Sequence, residues 1–265
     1  MGKTIGIVSL KGGVGKTTTT VALGSAMANL GKKVLLVDAN FSAPNLGLHL
    51  NIIDPEITLH HVLNKEAHIH QAIQTVNNFD VLPCSIFGNF NISPLKLKEN
   101  LGLIKKKYDY ILIDSSPALN DETLATILAS DELLIITTPD IPTLSTTIKA
   151  VNLARKRGTI INGLILNKVY NKKFEVPLKS IEESSETPVI AVIPHDIRVP
   201  ESLSRFKSYV NFAPRSIGSS EYNKLAQVLT GEKKMSKLRR FLKFVKTPTK
   251  QEINRELFYK SVYQK

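Results

Sequence analysis

Cysteine occurs once in the 265 residues, at Cys84, which excludes a disulfide within the chain and a metal site built only from one chain's cysteines. No motif marks Cys84 as an activated nucleophile, so it reads as a small packed side chain. The first residues lack the charged and apolar blocks of a secretory leader, and no apolar run approaches the roughly 20 residues that cross a bilayer. Internal repeats and low-complexity blocks are missing as well. These absences together lead us to expect a protein of the reducing cytoplasm whose membrane contact, if any, is peripheral.

The apolar content, 42%, is ordinary, and the length suffices for one large α/β domain with a sizeable core. The net charge of +12 is unevenly placed. Residues 232–265 hold 11 Lys/Arg against 3 Asp/Glu, whereas the preceding 231 hold 24 against 20. The boundary is therefore drawn near Gly231, with a domain over 1–231 and a basic tail over 232–265.

The chemistry concentrates in Ser9-Leu10-Lys11-Gly12-Gly13-Val14-Gly15-Lys16-Thr17-Thr18, between the apolar run Thr4–Val8 and a helix-like run. A glycine loop between a strand and a helix N-terminus lets the backbone N–H groups of Gly12, Gly13, Val14 and Gly15 converge on phosphate oxygens. Lys16 can then reach the β- and γ-phosphates and the Thr17 hydroxyl can ligate Mg²⁺, with Thr18 following on the phosphates. The strict pattern asks for glycine where Leu10 stands, and a second lysine, Lys11, precedes the glycines. A plain glycine turn needs neither two lysines nor a Lys-Thr pair at this spacing.

On Lys-Gly-Gly-Val-Gly-Lys-Thr the chain resembles the MinD/ParA superfamily of ATPases, and by motif order the resemblance runs from about Met1 to Thr230, closest to the MinD-like branch. It implies an α/β fold with a doubly wound, mostly parallel sheet flanked by helices, ATP and Mg²⁺ as ligands, and an ATP-dependent homodimer in which Lys11 crosses to the partner's nucleotide. Asp38, at the end of the second strand, matches the first switch acid of that branch, which serves metal and water. Asn40 stands where the branch has a second acid orienting the attacking water. An amide can hold a water but cannot accept its proton, so slow hydrolysis is expected; a plain turn residue is the other reading of Asn40. Asp114 ends the apolar run Tyr110–Ile113, where a P-loop protein places the acid that holds Mg²⁺, and Ser115–Ala118 is similar to the second switch. Asn167 matches the asparagine that contacts adenine, with a strand-end cap as its alternative, and Ile193-Pro194-His195-Asp196 matches the base-side loop. The guanine signature is absent, since Asn167-Lys168 is followed by Val169-Tyr170, which favours ATP over GTP.

Further strands are expected at Lys33–Val37, Phe79–Leu82, Leu133–Thr137, Ile160–Leu166 and Val189–Ile193, and helices at Thr17–Leu30, Leu95–Lys107 and Ser220–Leu229. Residues Thr58–Val76 carry helical spacing with His60, His61, His68 and His70, which read as solvated faces because adjacent histidines diverge on a helix and no ligand spacing joins them. In the tail, Leu238, Phe241, Leu242 and Val245 fall on one face of a helix over 235–246, with Lys237, Arg239, Arg240, Lys243 and Lys246 around it. An apolar stripe with a cationic back suits an anionic membrane surface; docking on the chain's own domain uses the stripe alone, and a DNA-binding arm uses the lysines alone. The expectation is therefore a MinD-type spatial switch, acting with an activator or cargo protein still to be identified. The first alternative is a ParA-like ATPase on nonspecific DNA. An iron–sulfur carrier of the same superfamily needs a cysteine pair that one chain does not have.

Overall fold

Short runs of Ile, Leu and Val bounded by polar, Gly or Pro residues are built to be buried on both faces, and here they pair into one eight-stranded sheet. The computed structural model describes residues 2–87, 90–232 and 248–264. The strands are β1 (Lys3–Val8), β2 (Val34–Ala39), β3 (Gln74–Val76), β4 (Phe79–Leu82), β5 (Tyr110–Ser115), β6 (Glu132–Thr137), β7 (Ile160–Val169) and β8 (Val189–Pro194). They lie in the order β3-β4-β2-β5-β1-β6-β7-β8, parallel throughout except for the edge pair β3–β4. Successive connections leave β1 first toward β2 and β5 and later toward β6, so the strand order reverses at β1. The carboxyl end of that strand is where a doubly wound sheet opens a ligand crevice.

The helices among the described residues are α1 (Lys16–Ala28), α2 (Leu46–His49), α3 (Leu59–Leu63), α4 (Leu97–Ile104), α5 (Asp121–Ala129), α6 (Ile141–Lys156), α7 (Leu178–Ser185), α8 (Arg198–Ser204), α9 (Tyr209–Phe212), α10 (Ile217–Leu229) and α11 (Lys250–Tyr263). Leu23 and Met27 of α1 and Tyr222 and Leu225 of α10 pack with Ile5, Ile7 and Leu36 on one side of the sheet. Leu97 and Leu101 of α4 and Ala125 of α5 cover Leu35, Ile111 and Ile113 on the other. The expected elements are present with small shifts of their ends, save over 58–76. There the helical spacing yields only α3, a 3-10 turn at Ile69–Ala72 and the edge strand β3.

The expectation of solvated histidines fails at His60. Its ring is 3% exposed, stacks on Phe90 at 4.5 Å, and Nδ1 accepts the Ser85 N–H at 3.0 Å. Cys84 is buried and its thiol donates to the Asp38 carbonyl at 3.2 Å. The expected amphipathic segment 235–246, with Leu238, Phe241, Leu242 and Val245, lies outside the described residues.

The last described helix, α11, was not expected and returns to the domain, where it covers the edge strand β8. Asn254 Nδ2 donates to the Val189 carbonyl at 2.8 Å, and Arg255 Nη1 donates to the Ile190 carbonyl at 2.9 Å and to Glu221 of α10 at 2.7 Å. An edge strand offers unpaired carbonyls to any neighbour, and these two are occupied. No helix among the described residues is long and apolar enough to cross a membrane.

Candidate nucleotide site

The loop from Ser9 to Gly15 joins β1 to α1, and its tight path requires left-handed backbone at Gly13 (φ 75°) and Gly15 (φ 97°), where a side chain is strained. Gly15 occupies the N-cap of α1 without any side-chain cap, so the first N–H groups of the helix remain open toward the crevice. The cleft at this helix end has a volume of about 440 Å³ and is lined by Gly12, Gly13, Gly15, Lys16, Thr17 and Thr18 of the loop and α1, and by Asn167, Pro194 and Asp196 from β7, β8 and the turn after it. Residues far apart in sequence are thus brought to one cavity. Lys16 is buried at 8% exposure, and that burial lowers its pKa while the neighbouring Asp114 works in the opposite direction.

Two acids stand behind the loop. Asp38 and Asp114 are register partners on β2 and β5, both essentially sealed from solvent. The Thr17 hydroxyl donates to Asp114 Oδ2 at 2.6 Å and Thr20 to its Oδ1 at 3.4 Å. Desolvation raises the Asp114 carboxyl to about 6, against the bonds from Thr17 and Thr20 and the charge of Lys16. Asp38 rises to about 7, first through desolvation and then through the charge of Asp114, although it accepts N–H bonds from Asn40, Asn45 and Leu46 at 3.0–3.1 Å. The Thr17 hydroxyl and the Asp114 carboxylate, with Asp38 beside it on the neighbouring strand, offer hard oxygen donors. A divalent cation such as Mg²⁺ would suit these donors, because its charge would offset the desolvation that raises both acids.

Asn40 also faces the cleft, and its Nδ2 donates to the Ala43 carbonyl within its own loop. That loop is fastened from the far side by Glu122 of α5, which accepts the Ser42 N–H at 2.9 Å and the Ser42 hydroxyl. Lys11 does not enter this chain's own cleft. Its Nζ lies 3.0 Å from Asp140 Oδ1 and 2.7 Å from Thr143 Oγ1, at the N-terminus of α6. Burial works to raise Asp140, yet hydrogen bonds from Thr138, Thr143 and Lys11 outweigh it and hold the carboxyl at about 2.

After β8, Asp196 is held by an ion pair with Arg198 at 2.7 Å and by the Tyr209 hydroxyl at 2.6 Å; the Arg198 hydrogen bonds, ahead of desolvation, bring its pKa to about 2. Asn167 directs Nδ2 to the Val14 carbonyl at 2.7 Å, so its amide already serves the loop. Sequence reasoning missed Lys168, Glu122, Asp140 and Thr143. Each acts through a contact more than 70 residues away, which no local motif records.

The family profile described as an AAA domain matches residues 2–162. The sporulation initiation inhibitor protein Soj of Bacillus subtilis is 33% identical over 248 residues, which cover 86% of this chain and 98% of Soj. Among solved structures, the cell division ATPase MinD of Pyrococcus furiosus superposes with a TM-score of 0.82 at 37% identity, over 88% of this chain and 99% of that one. The septum site-determining protein MinD of Pyrococcus horikoshii OT3, solved in complex with Mg-ADP, gives 0.82 at 34% identity over 90% and 99%. Taken with the variant glycine loop and the two strand-end acids behind it, these likenesses place the chain in the MinD/ParA superfamily of P-loop ATPases.

Proposed function

We propose that this protein is a nucleotide-driven switch that binds ATP with Mg²⁺, closes into a homodimer and reopens after a slow hydrolysis. Its part is in spatial positioning, such as placement of a division site, through ATP-dependent association with the inner face of the cell membrane. The observation that carries the reading is Lys11, a cation beside the glycine loop that turns away from its own cleft toward Asp140 and Thr143. A charge placed there serves a second subunit's nucleotide better than its own.

In this reading Lys16, Thr18 and the N–H groups of Gly12–Gly15 hold the phosphates, and Thr17, Asp114 and Asp38 hold the metal directly or through water. Mg²⁺, when bound, neutralises charge on the β- and γ-phosphate oxygens. Asp38 also ties down the loop that presents Asn40 through its three N–H bonds, and Asn40 orients the attacking water. Phosphoryl transfer needs positioning more than a strong base, so an amide supports turnover at a reduced rate. Asn167, Pro194 and Asp196 line the adenine end. Lys11 of the partner supplies charge when the two cleft mouths meet.

The test is Lys11→Ala. Nucleotide affinity of the monomer should stay close to wild type while hydrolysis at high protein concentration is lost. Loss of ATP binding itself would place Lys11 on its own subunit's nucleotide and contradict the reading.

A second reading, a ParA-like ATPase that partitions cargo on nonspecific DNA, is favoured by the net charge of +12. Vesicle flotation and DNA pull-down at rising salt separate the two. Binding to DNA that falls steeply with salt, without flotation, supports partitioning.

A further inference from the structure

The end of β7 grips the glycine loop with two consecutive side chains. Asn167 Nδ2 donates to the Val14 carbonyl at 2.7 Å, and Lys168 Nζ donates to the Gly13 carbonyl at 2.7 Å. On a regular strand neighbouring side chains point to opposite faces, so two in a row cannot serve one loop. Here β7 departs from regularity: its pairing with β8 shifts between Leu166 and Val169, and Lys168 takes left-handed backbone at φ 57°. Irregularities of this kind re-aim side chains next to functional sites. Asn167 is further fixed because its Oδ1 accepts the Lys168 N–H at 2.9 Å, and it packs so close to Gly15 that a Cβ there would meet Nδ2 at 2.3 Å.

In a trans peptide the carbonyl of one residue and the N–H of the next point in opposite directions, and the described chain has no cis bond. A hold on the Gly13 and Val14 carbonyls therefore turns the N–H groups of Val14 and Gly15 away from β7. We propose that Asn167 and Lys168 are positioning residues of the phosphate site, a clasp that aims the Val14 and Gly15 N–H groups at the phosphates before any ligand arrives. Preorganised donors cost no rearrangement on binding, so the clasp acts on phosphate recognition whatever base is attached. The inference rests on the nucleotide reading above and adds to Asn167 a task separate from the base.

The experiment compares wild type, Lys168→Met, which keeps the stem and removes the donor, and Lys168→Arg, which restores one. Binding of ATP, ADP and inorganic tripolyphosphate, each with Mg²⁺, is measured together with amide hydrogen exchange at Val14 and Gly15 in nucleotide-free protein. The clasp predicts that Lys168→Met weakens all three ligands by a similar factor, about tenfold for one lost charge-assisted hydrogen bond. It also predicts faster exchange at both amides before ligand is added, with recovery in Lys168→Arg. Weaker ATP and ADP binding with tripolyphosphate unchanged would assign Lys168 to the base end. Equal weakening with unchanged exchange would reduce its role to charge attraction. Either result overturns the clasp. Wild-type protein that binds neither ATP nor tripolyphosphate would overturn the nucleotide reading, and the clasp with it.

Discussion

Asp38 and Asp114 face each other across neighbouring strands at 0% and 1% exposure, and their carboxyls rise to about 7 and about 6. A raised acid keeps its proton in the fold at a pH where the unfolded chain, titrating near 4, has lost it. The folded state then binds more protons, so the stability of the nucleotide-free protein falls as pH rises from about 4 to about 7. Asp114→Asn should flatten that slope and raise the urea midpoint above pH 7, while weakening Mg²⁺-dependent ATP binding. Urea midpoints across this range in EDTA check it, and parallel curves for variant and wild type would contradict it. At Asn40, the amide now donates to the Ala43 carbonyl. An aspartate cannot donate there and would be repelled by that oxygen, which turns it toward the cleft. Asn40→Asp should therefore speed single-turnover hydrolysis at saturating ATP and protein; an unchanged or slower rate would mean that Asp38 or another group already holds the water.

Between elements, the docking of α11 depends on Arg255, which is 4% exposed and paired with Glu221 at 2.7 Å. Removing one partner of a buried pair leaves the other charge uncompensated, although Lys224 also reaches Glu221 at 2.8 Å and softens the loss. Arg255→Met should cost about 3 kcal/mol in chemical denaturation. Nucleotide affinity should be untouched, since α11 packs on β8 and α10, and a loss below about 0.5 kcal/mol would mean that the helix is not an integral layer. This helix also marks where the sequence stops being legible. Strands β1, β2 and β5 announce themselves because burial on both faces demands unbroken apolar runs, and the glycine loop is local chemistry that fits only one backbone path. By contrast, α11 has a weak apolar face and is held by Asn254 and Arg255, polar residues whose partners on β8 lie 65 residues away and on α10 34 away. Lys168 was hidden for a similar reason: nothing in Asn-Lys-Val-Tyr signals the irregularity in β7 that brings two neighbours to one loop. The spacing over 58–76 misled because a stretch that buries Leu59, Val62, Leu63, Ile69 and Ala72 need not do so on one continuous helix.

For the molecule as a whole, the central claim is that nucleotide state sets association state. Exposed Leu119 (66%), Ile141 (74%) and Phe174 (77%) belong to the segments that follow β5, β6 and β7, at the same carboxyl ends as the glycine loop and Lys11. Apolar side chains so exposed suit burial against a second copy. Under the proposed switch, Lys11 would exchange Asp140 and Thr143 for a phosphate across the interface. Sedimentation velocity with Mg²⁺ and ATP, with Mg²⁺ and ADP, and without nucleotide tests this most directly. A dimer should form with ATP alone and return to monomer as ATP is consumed; the same sedimentation in all three states, or a dimer that forms equally with ADP, would contradict the account.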